Sequence, residues 1–278
     1  MIEIAVTGVT GHLGGAVARR LSAAGHPLRL VARSPARAPS LPHSTVAAAS
    51  YGDRDAVARA LEGTEVALMV SAAESADRLG QHRTFIDAAA AAGVRHLVYI
   101  SFFGAAADAE FTLARDHHAT EEHLRASGLT WTALRDNLYA DFLLTLPGPD
   151  GVIRGPAADG RVSAVARTDV ADCAAAVLHS PAGHENRTYQ LTGPAAVSLA
   201  EVAALLTTHT GRPISYHPET LSEARASRAH YAAPPWQLDA WISTYTAIAS
   251  GTLEGVTSDV ALLSGHAATP IQSLLRTP

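Results

Sequence analysis

Residues 7–15 have the sequence Thr-Gly-Val-Thr-Gly-His-Leu-Gly-Gly and stand between an apolar run, Ile2–Thr7, and a helical pattern, His12–Ala24. Glycines at 8, 11 and 14 allow a tight turn, close approach of the backbone to a ligand and close packing of helix on strand. The amides at the start of such a helix are free to bind phosphate. A glycine turn without a ligand is the alternative, which the position between strand and helix disfavours. We therefore expect a dinucleotide pyrophosphate here, with the candidate binding residues Thr7, Gly8, Thr10, Gly11, His12, Leu13 and Gly14.

The same alternation of apolar runs and amphipathic stretches continues through the first half of the chain. Further strands are predicted at Leu28–Arg33, Thr45–Ala49, Glu65–Ser71, Arg95–Ser101 and Thr130–Arg135. Helices are predicted from the N-cap Asp53 to Leu61, through an alanine-rich stretch that ends at Gly93, and at Phe111–Ser127. Short apolar strands joined by helices predict an α/β fold, a Rossmann-type doubly wound parallel sheet over residues 1–150. The loops after the strands then share one sheet edge, where ligands bind.

The pattern loosens after Gly151. An extended segment is predicted at Val152–Val165, helices at Thr168–His179 and Leu199–Thr210, and strands at Arg187–Thr192 and Ile214–His217. From Glu219 the pattern is mainly helical, with breaks at Pro234-Pro235, Gly251, Gly255 and Pro270. We expect residues 151–278 to form a smaller, mostly helical C-terminal substrate lobe, interleaved with the Rossmann sheet around residues 168–192.

The composition limits the classes of function. A net charge of −5 and a pI of about 6.3 disfavour a nucleic-acid surface, which is normally basic. The one cysteine, Cys173, allows neither an internal disulfide nor a thiolate metal cage, and no metal is expected. No apolar run approaches the roughly 20 residues of a membrane span, and the N-terminus lacks the pattern of a signal peptide. These features predict a cytoplasmic protein that binds neither nucleic acid nor membrane.

The second predicted strand indicates which dinucleotide is bound. NAD sites usually carry Asp or Glu at the end of this strand, where the carboxylate binds the ribose hydroxyls. Here residues 30–37 are Leu-Val-Ala-Arg-Ser-Pro-Ala-Arg, without an acidic residue. Arg33 and Arg37 can bind a 2′-phosphate through charge-assisted hydrogen bonds, although Arg37 is equally compatible with a solvated loop charge. The expected cofactor is NADP(H).

Several segments carry a family resemblance. They are TGVTGHLGG at 7–15, VARSPARA at 31–38, Tyr51-Gly52-Asp53, LVYISF at 97–102, Arg135-Asp136-Asn137-Leu138-Tyr139, AVARTDVA at 164–171 and YQLTG at 189–193. Together they resemble the atypical short-chain dehydrogenases/reductases of the NmrA-like group. Within that group, the chain is most similar to the branch of NAD(P)H quinone oxidoreductases and triphenylmethane reductases. The combination of segments is specific, whereas the glycine motif alone is shared by the superfamily.

The resemblance implies further contacts with the cofactor. Ser71, Ala72 and Ala73 are expected beside the adenosine ribose or the bridging phosphates. Ser101 and Phe102, after the fifth strand, would border the nicotinamide, and Asn137, Leu138 and Tyr139, after the sixth, would flank its carboxamide. Ser50 departs from the family pattern, since relatives often carry an acidic residue there near the adenine.

The catalytic group is not obvious from the sequence. All 21 basic residues are arginine, so the Tyr-x-x-x-Lys pair of the superfamily is absent and no lysine can form a Schiff base. Some related reductases place a lysine in the helix after the fifth strand, and the resemblance puts His117 at that position. His117 is therefore a candidate for orienting the substrate or donating a proton. Ser101 and Tyr139 are the other catalytic candidates.

Two alternatives for His117 stay open. Its ring could simply face solvent or bond Glu121 or Glu122 one turn further along the helix. A metal site built from His117, His118 and His123 is not expected, because adjacent residues 117 and 118 point in different helical directions.

The missing Tyr–Lys pair also bears on the substrate class. Reduction of a simple ketone produces an alkoxide and needs a proton donor, whereas a quinone or a delocalised cation takes hydride into an extended π-system. The expected activity is therefore NADPH-dependent hydride transfer to a small aromatic or quinone-like molecule. Candidates for a flat apolar pocket, each equally suited to the core, are Phe102, Phe103, Tyr139, Phe142, Tyr231 and Trp236.

Rival functions can be stated for the same sequence. A non-catalytic NADP(H)-sensing regulator of the NmrA-like type would keep the cofactor groove and lose catalysis. A nucleotide-sugar epimerase or dehydratase is disfavoured, because those reactions depend on the absent Tyr–Lys pair. A homodimer is compatible with the sequence and is left open.

Overall fold

The computed structural model describes residues 3–275. The strands are β1 (Ile4–Val6), β2 (Leu28–Ala32), β3 (Ser44–Ala48), β4 (Val66–Met69), β5 (His96–Phe102), β6 (Thr130–Asp136), β7 (Val152–Gly155), β8 (Arg161–Val162), β9 (Arg187–Leu191), β10 (Val197–Ser198) and β11 (Ser215–Pro218). The α-helices are α1 (His12–Ala23), α2 (Arg54–Leu61), α3 (Arg78–Ala91), α4 (Thr112–Ala126), α5 (Ala140–Leu143), α6 (Arg167–His179), α7 (Leu199–Thr210), α8 (Leu221–Arg228), α9 (Pro235–Ala249) and α10 (Asp259–Ser264).

The central element is a parallel sheet with the strand order β3-β2-β1-β4-β5-β6-β9. Its order reverses between β1 and β4, and this switch point opens a crevice at the carboxyl ends of the strands. The predicted Rossmann-type doubly wound sheet is confirmed. All six strands predicted before residue 150 are present, with ends that differ by at most two residues. Ile2, where the first was predicted to begin, lies outside the described residues.

Two apolar layers cover the sheet. On one face α1 and α6 pack together with the α10 segment, burying Val17, Leu21, Val170 and Val177. On the other face α2, α3 and α4 bury Val57, Phe85, Ile86 and Leu124. The four residues of β4 and the seven of β5 are all buried, so neither strand shows regular polar alternation. The two polar residues of β5 other than Tyr99 are hydrogen-bonded, His96 to Thr132 and Ser101 to Glu121.

The part of the chain after residue 150 contributes to the same sheet. Strand β9 pairs with β6, with Leu134 beside Tyr189, and α6 lies along α1, where Arg20 pairs with Asp172. The remaining elements, among them α7 and α9, form a third apolar cluster around Leu199, Ile248 and Leu253. Among the helices of residues 3–275, none is long and apolar enough to cross a lipid bilayer.

One local expectation was wrong. Residues Val152–Val165 do not form one extended segment: β7 pairs in parallel with β11, β8 pairs in antiparallel with β10, and a turn separates them. In that turn Ala158 has a φ of 46°, and the Gly160 amide donates to the Ala157 carbonyl over 2.9 Å. The signal that could have found this turn is the presence of Pro156, Asp159 and Gly160, since these residue types favour turns.

Candidate cofactor and acceptor site

The glycine turn between β1 and α1 has the geometry of a phosphate cradle. Gly8 has a φ of +65°, a conformation that L side chains rarely adopt. A Cβ on Gly14 would lie 2.4 Å from the Thr7 carbonyl oxygen, so only glycine lets α1 approach β1 this closely. Helix α1 begins after Gly11 without a capping side chain and without an acidic residue in its first turn. Its first amides are therefore available to an anion, and the residues fit a pyrophosphate.

The other residues of the turn divide between groove and core. Thr10, Gly11 and His12 are exposed, whereas Leu13 packs into the core and offers a ligand only its backbone. Thr7 is buried: its hydroxyl oxygen accepts from the Val70 amide over 3.0 Å and is hydrogen-bonded to the Tyr51 hydroxyl. Thr7 thus joins β1 to β4 and shapes the turn.

A cavity of about 210 Å³ opens beside the turn, between the ends of β2 and β4. It is lined by Gly8, Thr10, Val31, Ala32, Arg33, Ala49, Ser50, Tyr51, Val70, Ser71, Ala72, Ala73, Glu74, Ser75 and Gln81. Arg33 is exposed on its rim, whereas Arg37 lies on the short 3-10 turn Pro35–Arg37 outside the lining. The cavity brings together Arg33 and residues 71–73, and their contact with the adenosine end of the cofactor stays a prediction.

Tyr51 is a residue of this cavity to which the sequence assigned no role. Its ring packs against Phe85 at 4.5 Å, and its hydroxyl donates to the Val70 carbonyl over 2.7 Å. Burial raises the pKa of Tyr51 above its ordinary value, so the phenol stays protonated. Tyr51 gives the cavity a rigid aromatic wall; the signal that could have found it is its position at the end of β3, next to Ser50.

Two buried side chains of α3, His82 and Arg78, hold the loop between β4 and α3 by hydrogen bonds. The Ala72 amide donates to His82 Nε2 over 2.8 Å, and the Ala72 carbonyl accepts from Arg78 Nε over 3.0 Å. The second nitrogen of His82, Nδ1, is 2.8 Å from the Thr120 hydroxyl. Burial, and then the Arg78 charge, lowers the pKa of His82 to about 3, so the ring is neutral and can accept from Ala72. Both backbone polar groups of a candidate cofactor residue are therefore fixed.

His117 belongs to the same network. It is 5% exposed, its Nε2 atom lies 2.8 Å from Arg78 Nη2, and its Nδ1 atom lies 2.9 Å from the Tyr99 hydroxyl. Arg78 can only donate, so His117 accepts at Nε2 and carries its proton on Nδ1. Burial, followed by the Arg78 charge, holds the pKa of His117 well below its ordinary value. Neither a solvent-facing ring nor a bond to Glu121 or Glu122 is found.

Ser101 faces helix α4. Its hydroxyl donates to Glu121 Oε1 over 2.6 Å, and the carboxylate also accepts from Arg135 and Arg125. Burial alone would raise the pKa of Glu121, but the hydrogen bonds from Arg135 and Ser101 lower it overall. The Ser101 hydroxyl is thus used to stabilise a buried, ionised carboxylate.

The segment after β6 contains Asn137, Leu138 and Tyr139. Asn137 is buried, and its Nδ2 atom donates to the Leu253 carbonyl over 3.0 Å while its Oδ1 atom accepts from the Leu138 amide over 2.7 Å. Leu138 packs against the third apolar cluster. The Tyr139 hydroxyl donates to Asp136 Oδ2 over 2.5 Å. The side chain of Asn137 therefore ties this segment to the C-terminal part of the chain.

A second cavity, of about 320 Å³, lies next to the end of β5. It is lined by Phe102, Phe103, Gly104, Ala106, Asp108, Ala109, Glu110, Phe111, Ala114, Ala247, Ser250, Thr252 and Leu253. The rings of Phe102 and Phe111 are 4.8 Å apart. Three phenylalanine residues give this cavity an aromatic lining, and the acidic residues Asp108 and Glu110 also line it. The sequence indicated Phe102 and Phe103 here but missed Phe111, which was expected only as the start of a helix.

The other aromatic candidates lie elsewhere. Phe142 is 43% exposed and Tyr231 is 62% exposed, and neither lines the second cavity. Tyr231 stacks on His230 with ring centres 3.9 Å apart and meets Trp241 edge-on. Trp236 is partly buried at the start of α9.

One group of possible metal ligands occurs in residues 3–275, away from both cavities. Asp169, Asp172 and His266 lie close together on the α6 side of the sheet. Both oxygens of Asp169 accept hydrogen bonds from Thr269, and Asp172 is paired with Arg20. These contacts fasten the C-terminal segment to α6, and the expectation of no metal stays a prediction.

The glycine turn, the switch point beside it and the arginine at the end of β2 define a Rossmann-type dinucleotide-binding protein. The NAD(P)H-binding family matches residues 8–181, and the chain belongs to that family. Quinone oxidoreductase 2 of Escherichia coli is 40% identical over 228 residues, which are 80% of this chain and 78% of the relative. The resemblance to reductases of the NmrA-like group is confirmed.

Two solved structures show how far the likeness extends. The NADPH-dependent quinone oxidoreductase of Escherichia coli, in complex with NADPH, matches with a TM-score of 0.89 and 33% identity over 98% of each chain. The triphenylmethane reductase of Citrobacter sp., in complex with NADP(H), matches with a TM-score of 0.86 and 29% identity over 99% of each chain. The similarity therefore includes the C-terminal part of the chain as well as the sheet.

Proposed function

We propose that this protein is an NADPH-dependent oxidoreductase that transfers a hydride to quinone-like or otherwise conjugated small molecules. The observation that carries the proposal is the presence of two cavities along one sheet edge. One has an arginine and a glycine turn for a phosphorylated dinucleotide, and the other has three phenylalanine side chains for a flat acceptor. The relatives named as quinone and dye reductases support the same activity.

The cofactor would be held by groups at the carboxyl edge of the sheet. The amides of His12, Leu13 and Gly14 would bind the pyrophosphate, and Arg33 would bind the 2′-phosphate through charge-assisted hydrogen bonds. Ser71 to Ala73 would contact the ribose. The backbone of Ala72 in this loop is held by hydrogen bonds to His82 and Arg78. When bound, NADPH supplies the hydride.

The acceptor would lie against Phe102, Phe103 and Phe111. An aromatic pocket holds a planar molecule face to face with its reaction partner and excludes water, which is the main requirement for hydride transfer to an extended π-system. The carboxylates of Asp108 and Glu110 at this cavity favour neutral or cationic acceptors over anionic ones.

We also propose that His117 and Ser101 position other groups and do not transfer protons. His117 accepts from Arg78, which holds Ala72, and Ser101 donates to Glu121. A neutral imidazole that accepts at Nε2 and donates at Nδ1 has no proton free for a substrate.

The proposal is tested by following NADPH at its near-ultraviolet absorbance with benzoquinone, naphthoquinone and a cationic triphenylmethane dye. We expect turnover with NADPH that greatly exceeds turnover with NADH. A Gly14→Ala variant should lose most of the activity, which controls for contaminating reductases. Tight NADPH binding without turnover of any acceptor would instead support the NADP(H)-sensing regulator.

The proposal has three further parts. The first is a cytoplasmic location, where NADPH is supplied. The second is a division into a dinucleotide-binding unit (residues 1–150) and a substrate lobe (residues 151–278), and the third is self-association as a homodimer. Cell fractionation, limited proteolysis with mass spectrometry and sedimentation of the purified protein test them in that order.

A further inference from the structure

The first cavity has uncharged polar side chains to which the sequence assigned no contact with the cofactor. Ser50 follows β3, Ser75 lies in the loop after β4, and Gln81 lies on α3; all three line the cavity. The pyrophosphate is assigned to the glycine turn, the 2′-phosphate to Arg33 and the ribose to residues 71–73. The uncharged polar groups left for the adenine base are therefore those of Ser50, Ser75 and Gln81.

The side chain of Gln81 has a defined place in this lining. Its neighbours on α3, Arg78 and His82, hold the backbone of Ala72, so the helix is fixed to the cofactor loop. The Gln81 Nε2 atom donates to the Ser75 hydroxyl oxygen over 3.2 Å. Within residues 3–275 no donor is bonded to the Gln81 amide oxygen, which leaves this oxygen for an amino group of a ligand.

The acidic residue of the same lining is bonded to the C-terminal part of the chain. Glu74 Oε2 accepts from Gln237 Nε2 over 2.9 Å and from Trp241 Nε1 over 3.1 Å, both on α9. These bonds direct the carboxylate of Glu74 to α9. Gln81 is therefore the better-placed acceptor for the amino group of a base.

An amide differs from a carboxylate in the purines that it can bind. Adenine carries an amino group at position 6, whereas hypoxanthine carries a carbonyl oxygen there, as guanine does. A carboxylate can only accept and would repel that oxygen, but an amide carries a donor and an acceptor, which a rotation of its terminal torsion exchanges. The Ser75 hydroxyl can accept from Gln81 Nε2 or donate to Gln81 Oε1, so either orientation of the amide keeps this hydrogen bond.

We propose that Gln81, with Ser75 as its partner, recognises position 6 of the purine base and lets the protein bind a hypoxanthine dinucleotide in place of the adenine one. The inference deepens the proposed function and rests on it. With adenine, Gln81 Oε1 accepts from the amino group; with hypoxanthine, the amide turns over and Nε2 donates to the carbonyl oxygen. The site is then selective for the ribose phosphate and tolerant of the group at position 6.

The test is a comparison of two ligands in the full-length protein without an acceptor. Fluorescence titration and calorimetry give the Kd of NADPH and of reduced nicotinamide hypoxanthine dinucleotide phosphate. Both ligands carry the same charge at neutral pH, so the ratio of the two Kd values reports the base alone. We expect the wild type to bind the hypoxanthine ligand no more than about threefold more weakly than NADPH, because Gln81 can form one hydrogen bond with either base.

The variant that tests Gln81 directly is Gln81→Glu, which keeps the shape of the side chain and replaces the amide with a group that only accepts. The hypoxanthine ligand should then bind about tenfold or more weakly than NADPH, because its carbonyl oxygen faces a carboxylate. Gln272→Glu introduces the same charge at an exposed glutamine outside both cavity linings and should keep the wild-type ratio.

The outcomes separate this inference from the proposed function. A wild-type ratio of about tenfold or more overturns the tolerance, and this measurement decides even if Gln81→Glu does not fold. An unchanged ratio in folded Gln81→Glu, or an equal rise in Gln272→Glu, overturns the role of Gln81. Absence of turnover with every acceptor overturns the proposed reductase activity, whereas the ratio of Kd values is measured without turnover and decides the base recognition separately.

Discussion

Arg78 Nη2 lies 2.8 Å from His117 Nε2, and the two side chains are only 4% and 5% exposed. Arg78 also holds the Ala72 carbonyl and pairs with Asp116 at 3.3 Å. His117 is thus the support of an arginine that fixes a loop of the cofactor cavity. A buried guanidinium that loses a partner costs free energy, since its N–H groups are left unsatisfied.

His117→Ala should therefore act on stability and on cofactor binding more than on chemistry. We expect the free energy of unfolding to fall by about 1–3 kcal/mol and KM for NADPH to rise several-fold, with a smaller change in kcat. His117→Gln, whose amide oxygen can still accept from Arg78, should restore much of both losses. Urea denaturation and steady-state kinetics measure these quantities. A fall in kcat at unchanged KM and stability would make His117 a proton donor after all.

Gly14→Ala tests the phosphate cradle. The new Cβ would lie 2.4 Å from the Thr7 carbonyl oxygen, so α1 must move away from β1. We expect at least about tenfold weaker NADPH binding and a loss of about 1–3 kcal/mol in stability. Gly52→Ala is the matched control, because its Cβ would meet its nearest atom at 3.7 Å and its φ is not positive. Equal NADPH affinity of Gly14→Ala and the wild type would show that the glycine turn does not bind the pyrophosphate.

The role of Arg33 is tested by the ratio of NADPH to NADH affinity. Arg33→Asp replaces a hydrogen-bond donor to the 2′-phosphate with a carboxylate that binds ribose hydroxyls. The preference for NADPH over NADH should therefore fall by about 10- to 100-fold. Arg37→Asp introduces the same charge change four residues away, outside the cavity lining, and should alter the ratio much less. Fluorescence titration with both nucleotides gives the ratio. Equal effects of the two substitutions would point to long-range charge alone.

The acceptor cavity is tested with Phe111→Ala. Removing this ring enlarges the cavity and takes away a stacking surface, so KM for naphthoquinone should rise by about tenfold while KM for NADPH stays constant. Phe142→Ala is the control, since that ring is 43% exposed and does not line the cavity. If Phe142→Ala raised the quinone KM and Phe111→Ala left it unchanged, the acceptor would bind outside this cavity.

Asp136 should make the stability of the protein depend on pH. Burial raises its pKa from 3.8 in the unfolded chain to about 7 in the folded protein, so the folded state binds more protons between these values. The free energy of unfolding contributed by this group is therefore highest at low pH and falls as pH rises from about 4 to about 7. Asp136→Asn should gain up to about 4 kcal/mol relative to the wild type over that range. Urea unfolding at pH 4.5 and pH 8 measures the difference, and a constant difference would contradict the raised pKa.

The elements that position the cofactor could be predicted because their signals are local. Glycines at fixed spacing specify the turn at Gly8 to Gly14, and continuous apolar runs specify buried parallel strands such as β4. Arg33 could be placed because it ends a recognisable strand.

The catalytic side of the site depends on partners that are distant in the sequence. Nothing near His117 indicates that Arg78, 39 residues earlier, would occupy its ring nitrogen. Asp136 looked like part of a family segment, and only its burial and its bond to Tyr139 distinguish it. The turn between β7 and β8 was missed although Pro156, Asp159 and Gly160 are residue types that favour turns.

Calorimetric titration of the folded wild-type protein with NADPH, and separately with NADH, tests the central claim most directly. The account predicts one NADPH bound per chain, at least about tenfold more tightly than NADH, because only NADPH carries the phosphate that Arg33 would bind. Failure to bind NADPH by calorimetry and by fluorescence, or equal affinity for the two nucleotides, would contradict it.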